Sequence, residues 1–117
     1  MVNPMIVKGQ IIGGIAQGIG TALYEEIPYS EDGQPLATTF ADYLMPGSTE
    51  IPPIRIGHLI TPSEHSEYGI KGMGEGGVLP AASAIAAAVE DAVGVRIRDL
   101  PLSPPKIWQR LQERRNA

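Results

Sequence analysis

The chain has 117 residues, of which 43% are hydrophobic, so it is long enough for one ordinary domain and is not a disordered tail. Its formal charge is −4, divided into −8 over residues 1–95 and +4 over residues 96–117, and the acidic body argues against nucleic acid as the main partner. Because the chain has no cysteine, it holds no disulfide, thiolate zinc site or protein-ligated iron–sulfur cluster, and a cytoplasmic setting is expected. No apolar run approaches the roughly 18 residues of a membrane span.

A helix rich in small residues is predicted over residues 6–26, because apolar residues recur there three and four positions apart. Glycines in that range each cost roughly 1 kcal/mol of helix propensity relative to alanine, and such a cost is tolerated only where close contact gains from the missing side chain. The helix also carries two amides on about the same face, Gln10 and Gln17. Amides suit a pterin ring, a phosphate or an oxo ligand, and they equally suit a polar face in water.

Two strands are predicted next, over residues 38–44 from their β-favouring composition and over residues 54–60 from apolar–polar alternation. Residues 61–77 lack periodicity and are expected to form a loop. An alanine-rich helix over residues 78–93 is apolar almost all round and is expected to be buried and tightly packed. Ser103 is predicted to cap a short terminal helix. The expected fold class is α+β, with helices packed on a small sheet.

The loop before the second helix contains the most informative segment, residues 69–77, in which one carboxylate, Glu75, lies among five glycines. Glycine permits positive φ and the close approach of a ligand, and a carboxylate delivered by a tight turn to the mouth of a helix is a candidate general base. The alternative is a surface loop with a solvated glutamate. Around His58 and His65 no further ligand stands at metal-binding spacing, so no metal site is predicted within the chain.

Several short motifs follow one another along the chain: Gly9-Gln10 through Gly20, Tyr24-Glu25-Glu26, Asp32-Gly33, Asp42-Tyr43, Met45-Pro46 and Lys71-Gly72-Met73-Gly74-Glu75. Together they resemble the molybdopterin-binding large subunit of the xanthine dehydrogenase, aldehyde oxidase and carbon monoxide dehydrogenase family. The likeness is greatest to the carbon monoxide dehydrogenase-like bacterial branch, and it involves only the C-terminal end of a much longer subunit. The resemblance therefore implies that residues 1–117 form a single partial domain of a larger molybdenum-hydroxylase cofactor-binding domain.

The resemblance also assigns roles to individual residues. Glu75 matches the active-site glutamate of the family and is expected to be the general base of an oxidative hydroxylation. Gln10 matches a glutamine that hydrogen-bonds near the molybdenum ligands of the pterin cofactor. Residues Lys71, Gly72, Met73 and Gly74 match the backbone that lies beside the metal centre.

Cofactors and partners follow from the same resemblance. The expected cofactor is molybdenum–molybdopterin in its cytosine dinucleotide form, with iron–sulfur clusters and FAD on other chains or domains. The expected partners are the upstream part of the molybdenum subunit, iron–sulfur and flavin subunits, and a small substrate such as an aldehyde, an N-heterocycle or carbon monoxide. Activity is expected only with the upstream polypeptide. The rival interpretation is a non-catalytic binding or assembly module, or an inactive fragment, in which the glycines serve packing alone.

Overall fold

The computed structural model describes residues 1–116 and consists of helices joined by long irregular segments. Helix α1 spans Pro4–Leu23, α2 spans Ala81–Val93 and α3 spans Pro104–Arg115, with a short 3₁₀ turn at Glu67–Gly69. Within residues 1–116 the β-pairing amounts to one isolated antiparallel bridge between Tyr29 and Pro35. The prediction of an α+β fold with helices packed on a small sheet is therefore wrong, because the described part of the chain is helical and contains no sheet.

The two predicted strands fail for different reasons. Residues 54–60 pair with no other segment among residues 1–116, and a strand exists only as one side of a hydrogen-bonded ladder. Residues 38–44 instead form a turn, in which the Thr39 carbonyl accepts the N–H groups of Asp42 at 3.1 Å and Tyr43 at 2.8 Å. The Thr39 hydroxyl also donates to the Asp42 carboxylate at 2.9 Å. Short polar side chains thus satisfy this backbone locally and compete with sheet formation.

The ends of α1 and α2 are set by local hydrogen bonds. Asn3 caps α1, because its side-chain oxygen accepts the N–H of Ile6 at 3.1 Å and Pro4 occupies the first helical position. Helix α2 begins at Ala81, three residues later than predicted, since the residues just before it form turns. It ends at Gly94, whose φ of 67° is the left-handed conformation that suits a C-terminal glycine.

Helices α1 and α2 pack against each other through residues that lack large side chains. A Cβ atom added at Gly14 would lie 2.9 Å from the Val78 nitrogen and 3.0 Å from the Gly77 Cα. One turn later, Gly18 lies directly against Ala81. The expectation that missing side chains allow close contact is confirmed for these glycines of α1, because any side chain there would overlap the neighbouring segment.

The hydrophobic core is small for a chain of this length. Its accessible surface is 9059 Å², whereas a compact monomer of this mass exposes about 6100 Å². The radius of gyration is 18.2 Å, against about 13 Å for a compact domain of this length. The alanine-rich helix was expected to be buried, yet within α2 only Ala81 is buried. The core residues are Ile19, Ala22, Ala81, Ile97 and Leu102.

Hydrogen bonds connect the last helix, and the segment before it, to α1 and α2. The Leu102 N–H donates to the Ala22 carbonyl at 2.7 Å, which joins the segment before α3 to the end of α1. The Arg114 guanidinium donates to the Gly94 carbonyl at 2.9 Å, where a cation is favourable against the C-terminal end of α2. Among residues 1–116, no helix has both the length and the apolar character needed to cross a bilayer.

Candidate functional site

The two glycine-rich segments of the sequence lie in direct backbone contact. A Cβ atom added at Gly77 would lie 2.7 Å from the Ile11 carbonyl oxygen and 3.2 Å from the Ile11 Cα. Gln10 adjoins Ile11, and Glu75 precedes Gly77 by two residues, so chain connectivity keeps the Cα atoms of Gln10 and Glu75 within about 16 Å of each other. The structure therefore brings the candidate base and the candidate cofactor contact to the same end of the α1–α2 contact.

Most of the predicted site residues are exposed to solvent in this chain. Gln10, Gly72 and Glu75 are exposed, whereas Met73 is half-buried. The Glu75 backbone carbonyl accepts the Val78 N–H at 3.2 Å. Among residues 1–116, however, its carboxylate receives no hydrogen bond. The turn is thus held through its main chain, and the acid remains available to a group outside the chain.

Five further glycines of the two segments have no packing role within residues 1–116. A Cβ atom added at any of them would meet nothing within 4 Å. At 100° per residue, the open glycines of α1 share a face with Gln10 and Gln17, away from the face that contacts α2. Within residues 1–116, no close contact therefore offsets the helix stability that the open glycines of α1 cost. These positions are Gly9 and Gly13 on α1 and Gly72, Gly74 and Gly76 in the turn.

Two apolar cavities adjoin this contact and share Ile11 and Met73. The first, of about 520 Å³, lies between the start of α1, residues 58–62 and the segment that leads into residues 71–77, the glycine turn. The second, of about 540 Å³, lies between α1 and α2. Both volumes fall in the range of roughly 300–1,000 Å³ that is usual for small-molecule sites. Neither Gln10 nor Glu75 lines them.

The loop that leads into the glycine turn is closed by hydrogen bonds between its two sides. The Ser63 N–H donates to the Gly69 carbonyl at 3.1 Å. The Ser66 hydroxyl donates to the Ile70 carbonyl at 2.5 Å, and the Lys71 Nζ donates to the Thr61 hydroxyl oxygen at 2.9 Å. The glycine turn is therefore fixed at Lys71 by this loop and at its other end by the contact with α1.

Metal-binding side chains do not converge in the part of the chain that the structure describes. No group of three or more histidine, cysteine, aspartate or glutamate residues among residues 1–116 is arranged to hold a metal ion. His58 and His65 are both exposed. His58 lies at the rim of the first cavity.

A tyrosine–carboxylate pair lies at the other end of α1. The Tyr43 hydroxyl donates to the Glu25 carboxylate at 2.5 Å. That carboxylate fills the space left by the missing side chain of Gly20, beside Pro46. The hydrogen bond to Glu25 raises the pKa of the Tyr43 phenol, because a phenolate would lose the bond and face a second negative charge.

This raised pKa gives a testable dependence of stability on pH. Because the folded-state pKa lies above the unfolded-state value of about 10, the pair stabilises the fold below that pH and its contribution is lost as the pH rises through the folded-state pKa. Thermal unfolding of the assembled protein is expected to shift down above about pH 10. A smaller shift is expected in Tyr43→Phe, and an equal shift in both proteins would contradict the assignment.

Comparison with known proteins shows which protein family this chain resembles. Residues 1–52 match the family model described as a molybdopterin cofactor-binding domain. The chain is 45% identical to the 6-hydroxypseudooxynicotine dehydrogenase complex subunit gamma of Paenarthrobacter nicotinovorans, over 96% of this chain and 14% of that protein. It is 36% identical to the carbon monoxide dehydrogenase large chain of Hydrogenophaga pseudoflava, over 96% of this chain and 14% of that protein.

A solved structure agrees with these sequence relatives. The quinoline 2-oxidoreductase from Pseudomonas putida 86 superposes with a TM-score of 0.91 at 48% identity, over 97% of this chain and 15% of that chain. The chain belongs to the molybdenum hydroxylase large-subunit family. The family inferred from the ordered motifs is thus confirmed. The chain spans about a seventh of the length of the curated relatives it matches.

Sequence reasoning missed three features of the chain. The Lys71–Thr61 hydrogen bond and the Glu25–Tyr43 pair join residues 10 and 18 positions apart, which no local pattern reveals. The third is Tyr68, a non-glycine residue with a φ of 60°. Its only sequence signal is the following Gly69, which would have suggested a turn with left-handed residues.

Proposed function

We propose that this chain is part of the molybdopterin-binding catalytic subunit of a molybdenum hydroxylase and works as an oxidoreductase when assembled with the remaining polypeptide of that subunit. The observation that carries the proposal is that two glycine-rich segments meet at Gly77 and Ile11 while five of their glycines remain open. Family membership and the match of residues 1–52 to a molybdopterin cofactor-binding domain support it.

The residues present fit a bulky cofactor on the open side of α1. The open glycines Gly9 and Gly13 and those of the glycine turn leave space that any Cβ would take. The Gln10 amide is exposed beside them and offers both a donor and an acceptor. Gln10 is accordingly assigned to hydrogen-bond the cofactor, and the backbone of residues 71–74, from Lys71 to Gly74, to lie against it.

The cofactor that fits these assignments is molybdenum–molybdopterin, in its cytosine dinucleotide form. When bound, it supplies the two-electron oxidation that hydroxylation of a carbon requires. Iron–sulfur clusters and FAD are assigned to partner subunits or domains, since this chain has no cysteine. Its own residues then bind and orient the cofactor and hold one base.

Glu75 is the residue of this chain assigned to proton transfer. A general base has to come within about 3 Å of the proton that it accepts. The open glycines on either side of Glu75 permit that approach, and no hydrogen bond from residues 1–116 competes for its carboxylate. The chemistry assigned to it is acceptance of a proton at a carboxylate oxygen during oxidative hydroxylation.

The uncovered apolar surface is assigned to contact with the rest of the catalytic subunit. Residues 1–117 then form a single partial domain, whose second cavity, lined by Ile15, Ile19 and Ile85, is covered by polypeptide outside this chain. The accessible surface of 9059 Å², well above that of a compact monomer, supports this arrangement. Relatives about seven times longer supply enough chain to cover it.

The substrate class favoured by the comparisons is an N-heteroaromatic ring. The nicotine 6-hydroxylase large subunit of Paenarthrobacter nicotinovorans is 43% identical to this chain, and quinoline 2-oxidoreductase is 48% identical. The carbon monoxide dehydrogenase large chain from Hydrogenophaga pseudoflava is 36% identical. The higher identities belong to proteins named for a ring that contains nitrogen, so an N-heterocycle is proposed ahead of an aldehyde or carbon monoxide.

Gly13→Leu tests the proposed cofactor surface. A Cβ atom at Gly13 meets nothing within 4 Å, and leucine is the better helix former by roughly 0.5–1 kcal/mol, so α1 itself is expected to be unharmed. Because the side chain enters the space assigned to the cofactor, the molybdenum and pterin content of the purified assembled enzyme is expected to fall severalfold. Metal analysis and pterin fluorescence measure the two contents.

The control for this experiment is Ala87→Leu, an exposed position of α2 outside both glycine-rich segments and both cavities, which is expected to keep full cofactor content. Full molybdenum content in Gly13→Leu would favour the rival function, an assembly module without cofactor contact. Failure to assemble with the other subunits would instead show that polypeptide covers this face.

A further inference from the structure

The loop before the glycine turn holds a tyrosine in a conformation that tyrosine rarely adopts. Tyr68 has φ 60° and ψ 13°, and the next residue, Gly69, has φ 69°. Two successive left-handed residues are most favourable when the first is asparagine or glycine, because a Cβ with a bulky ring is strained there. The Ser63–Gly69 and Ser66–Gly69 backbone hydrogen bonds, both 3.1 Å, hold the pair in place.

The strain at Tyr68 has no compensation within the described chain. The side chain is 87% exposed, so it gains little from packing against residues 1–116. If the turn alone mattered, asparagine or glycine would make it at lower cost. Strained residues of this kind persist where a side chain is needed in one place, and they are concentrated at ligand sites.

Tyr68 is among the residues that line the first cavity. Ile6, Ile11, Ile70 and Met73 line the same cavity. Aromatic rings pair with other aromatic rings in offset or edge-to-face arrangements, and sulfur also makes favourable contacts with rings. A cavity of about 520 Å³ with such a lining suits a flat aromatic molecule of modest size.

The position of this cavity links it to the proposed reaction site. Tyr68 and Lys71 belong to the cavity wall, and the Lys71–Thr61 hydrogen bond fixes the loop where the glycine turn begins. Glu75 follows Lys71 by four residues, a span of at most about 14 Å. A molecule held in this cavity therefore lies beside Lys71, the residue at which the turn that carries the proposed base begins.

We propose that Tyr68 is a specificity-determining residue whose ring stacks on the heteroaromatic ring of the substrate in this cavity. This inference rests on the proposed function, because it assumes an N-heteroaromatic substrate at the Glu75 turn. The strained backbone then serves to present the ring to the cavity. The competing explanation, that upstream polypeptide buries the ring, predicts a loss of stability when the ring is removed.

The test compares Tyr68→Phe and Tyr68→Asn in the assembled enzyme, with quinoline as the probe. An aromatic pair contributes about 0.5–1.5 kcal/mol, which corresponds to a change in binding of about 2- to 13-fold. Tyr68→Asn is expected to raise the KM and the dissociation constant of quinoline by that factor, with kcat little changed. Tyr68→Phe keeps the ring and is expected to retain wild-type values, and Tyr29→Asn, an exposed tyrosine outside both cavities, serves as the control.

Stability measurements separate the proposal from the competing explanation. Because asparagine suits the left-handed conformation, the Tm of Tyr68→Asn is expected to equal or exceed that of the wild type. A lower Tm with unchanged quinoline binding would overturn the proposal. Equilibrium dialysis of quinoline tests the stacking even without turnover, so a wild-type enzyme that binds quinoline but lacks molybdenum would refute the proposed function and leave the stacking supported.

Discussion

Replacing Glu75 by glutamine in the assembled enzyme is expected to lower kcat by about 100- to 10,000-fold, the usual contribution of a general base. Glutamine has nearly the same shape but cannot accept the proton. The fold is expected to be unaffected, because only the backbone carbonyl of Glu75 is hydrogen-bonded within residues 1–116. Molybdenum and pterin contents are therefore expected to stay at wild-type levels. Steady-state kinetics with quinoline, combined with metal analysis of the same sample, measures both quantities.

The matched control is Glu67→Gln, which removes an exposed carboxylate from the loop that precedes the glycine turn. It is expected to leave kcat near its wild-type value, since the charge lies outside the turn. Near-normal turnover in Glu75→Gln with a full complement of cofactor would contradict the role assigned to Glu75. Loss of molybdenum from Glu75→Gln would show that the carboxylate serves cofactor retention instead of proton transfer.

Gly77→Ala is expected to lower the free energy of unfolding of the assembled protein by roughly 1–3 kcal/mol, the usual cost of overpacking a close contact. The added methyl group would meet the main chain of Ile11, with its carbonyl oxygen at 2.7 Å and its Cα at 3.2 Å. Main-chain atoms inside a helix cannot move aside as the end of a side chain can. Denaturant unfolding measures the stability, and a fall in kcat is expected to accompany it as the turn is displaced.

Gly57→Ala is the control for this substitution, because it adds the same methyl group outside both glycine-rich segments, where nothing lies within 4 Å. It is expected to keep the stability of the wild type. An equal loss of stability in both variants would show that the loss does not depend on the position of the added methyl group. The contact between Gly77 and Ile11 would then not be the cause.

The helices could be predicted from the sequence because their signals are local. Periodicity located α1, the alanine-rich apolar composition located α2, and the predicted Ser103 cap located α3. The Asn3 cap and the left-handed Gly94 explain where α1 begins and α2 ends. The sheet could not be predicted reliably, since a strand depends on a partner that may lie anywhere in the chain, and residues 54–60 have none among residues 1–116. Burial of α2 was overestimated for a related reason: an apolar helix needs other chain to cover it.

The candidate site was predictable in part. The many glycines in the two segments indicated that the segments contact each other, and Gly14 and Gly77 form that contact. The residue roles of Gln10 and Glu75 came from the family resemblance and remain predictions. Tyr68 was missed because left-handed tyrosine has no sequence signature of its own, and its position at the first cavity depends on how distant segments meet.

The close contact of Gly77 with the main chain of Ile11 has a consequence for the order of events at the proposed site. A loop that closes over its substrate must be free to swing, whereas the glycine turn is held at both ends, by α1 at Gly77 and by the Lys71–Thr61 hydrogen bond. We therefore expect the two ends of the turn to stay in place when a substrate binds, so that Glu75, if it acts as the proposed base, is positioned in advance. Any gating of access in the complete enzyme then belongs to other parts of the polypeptide.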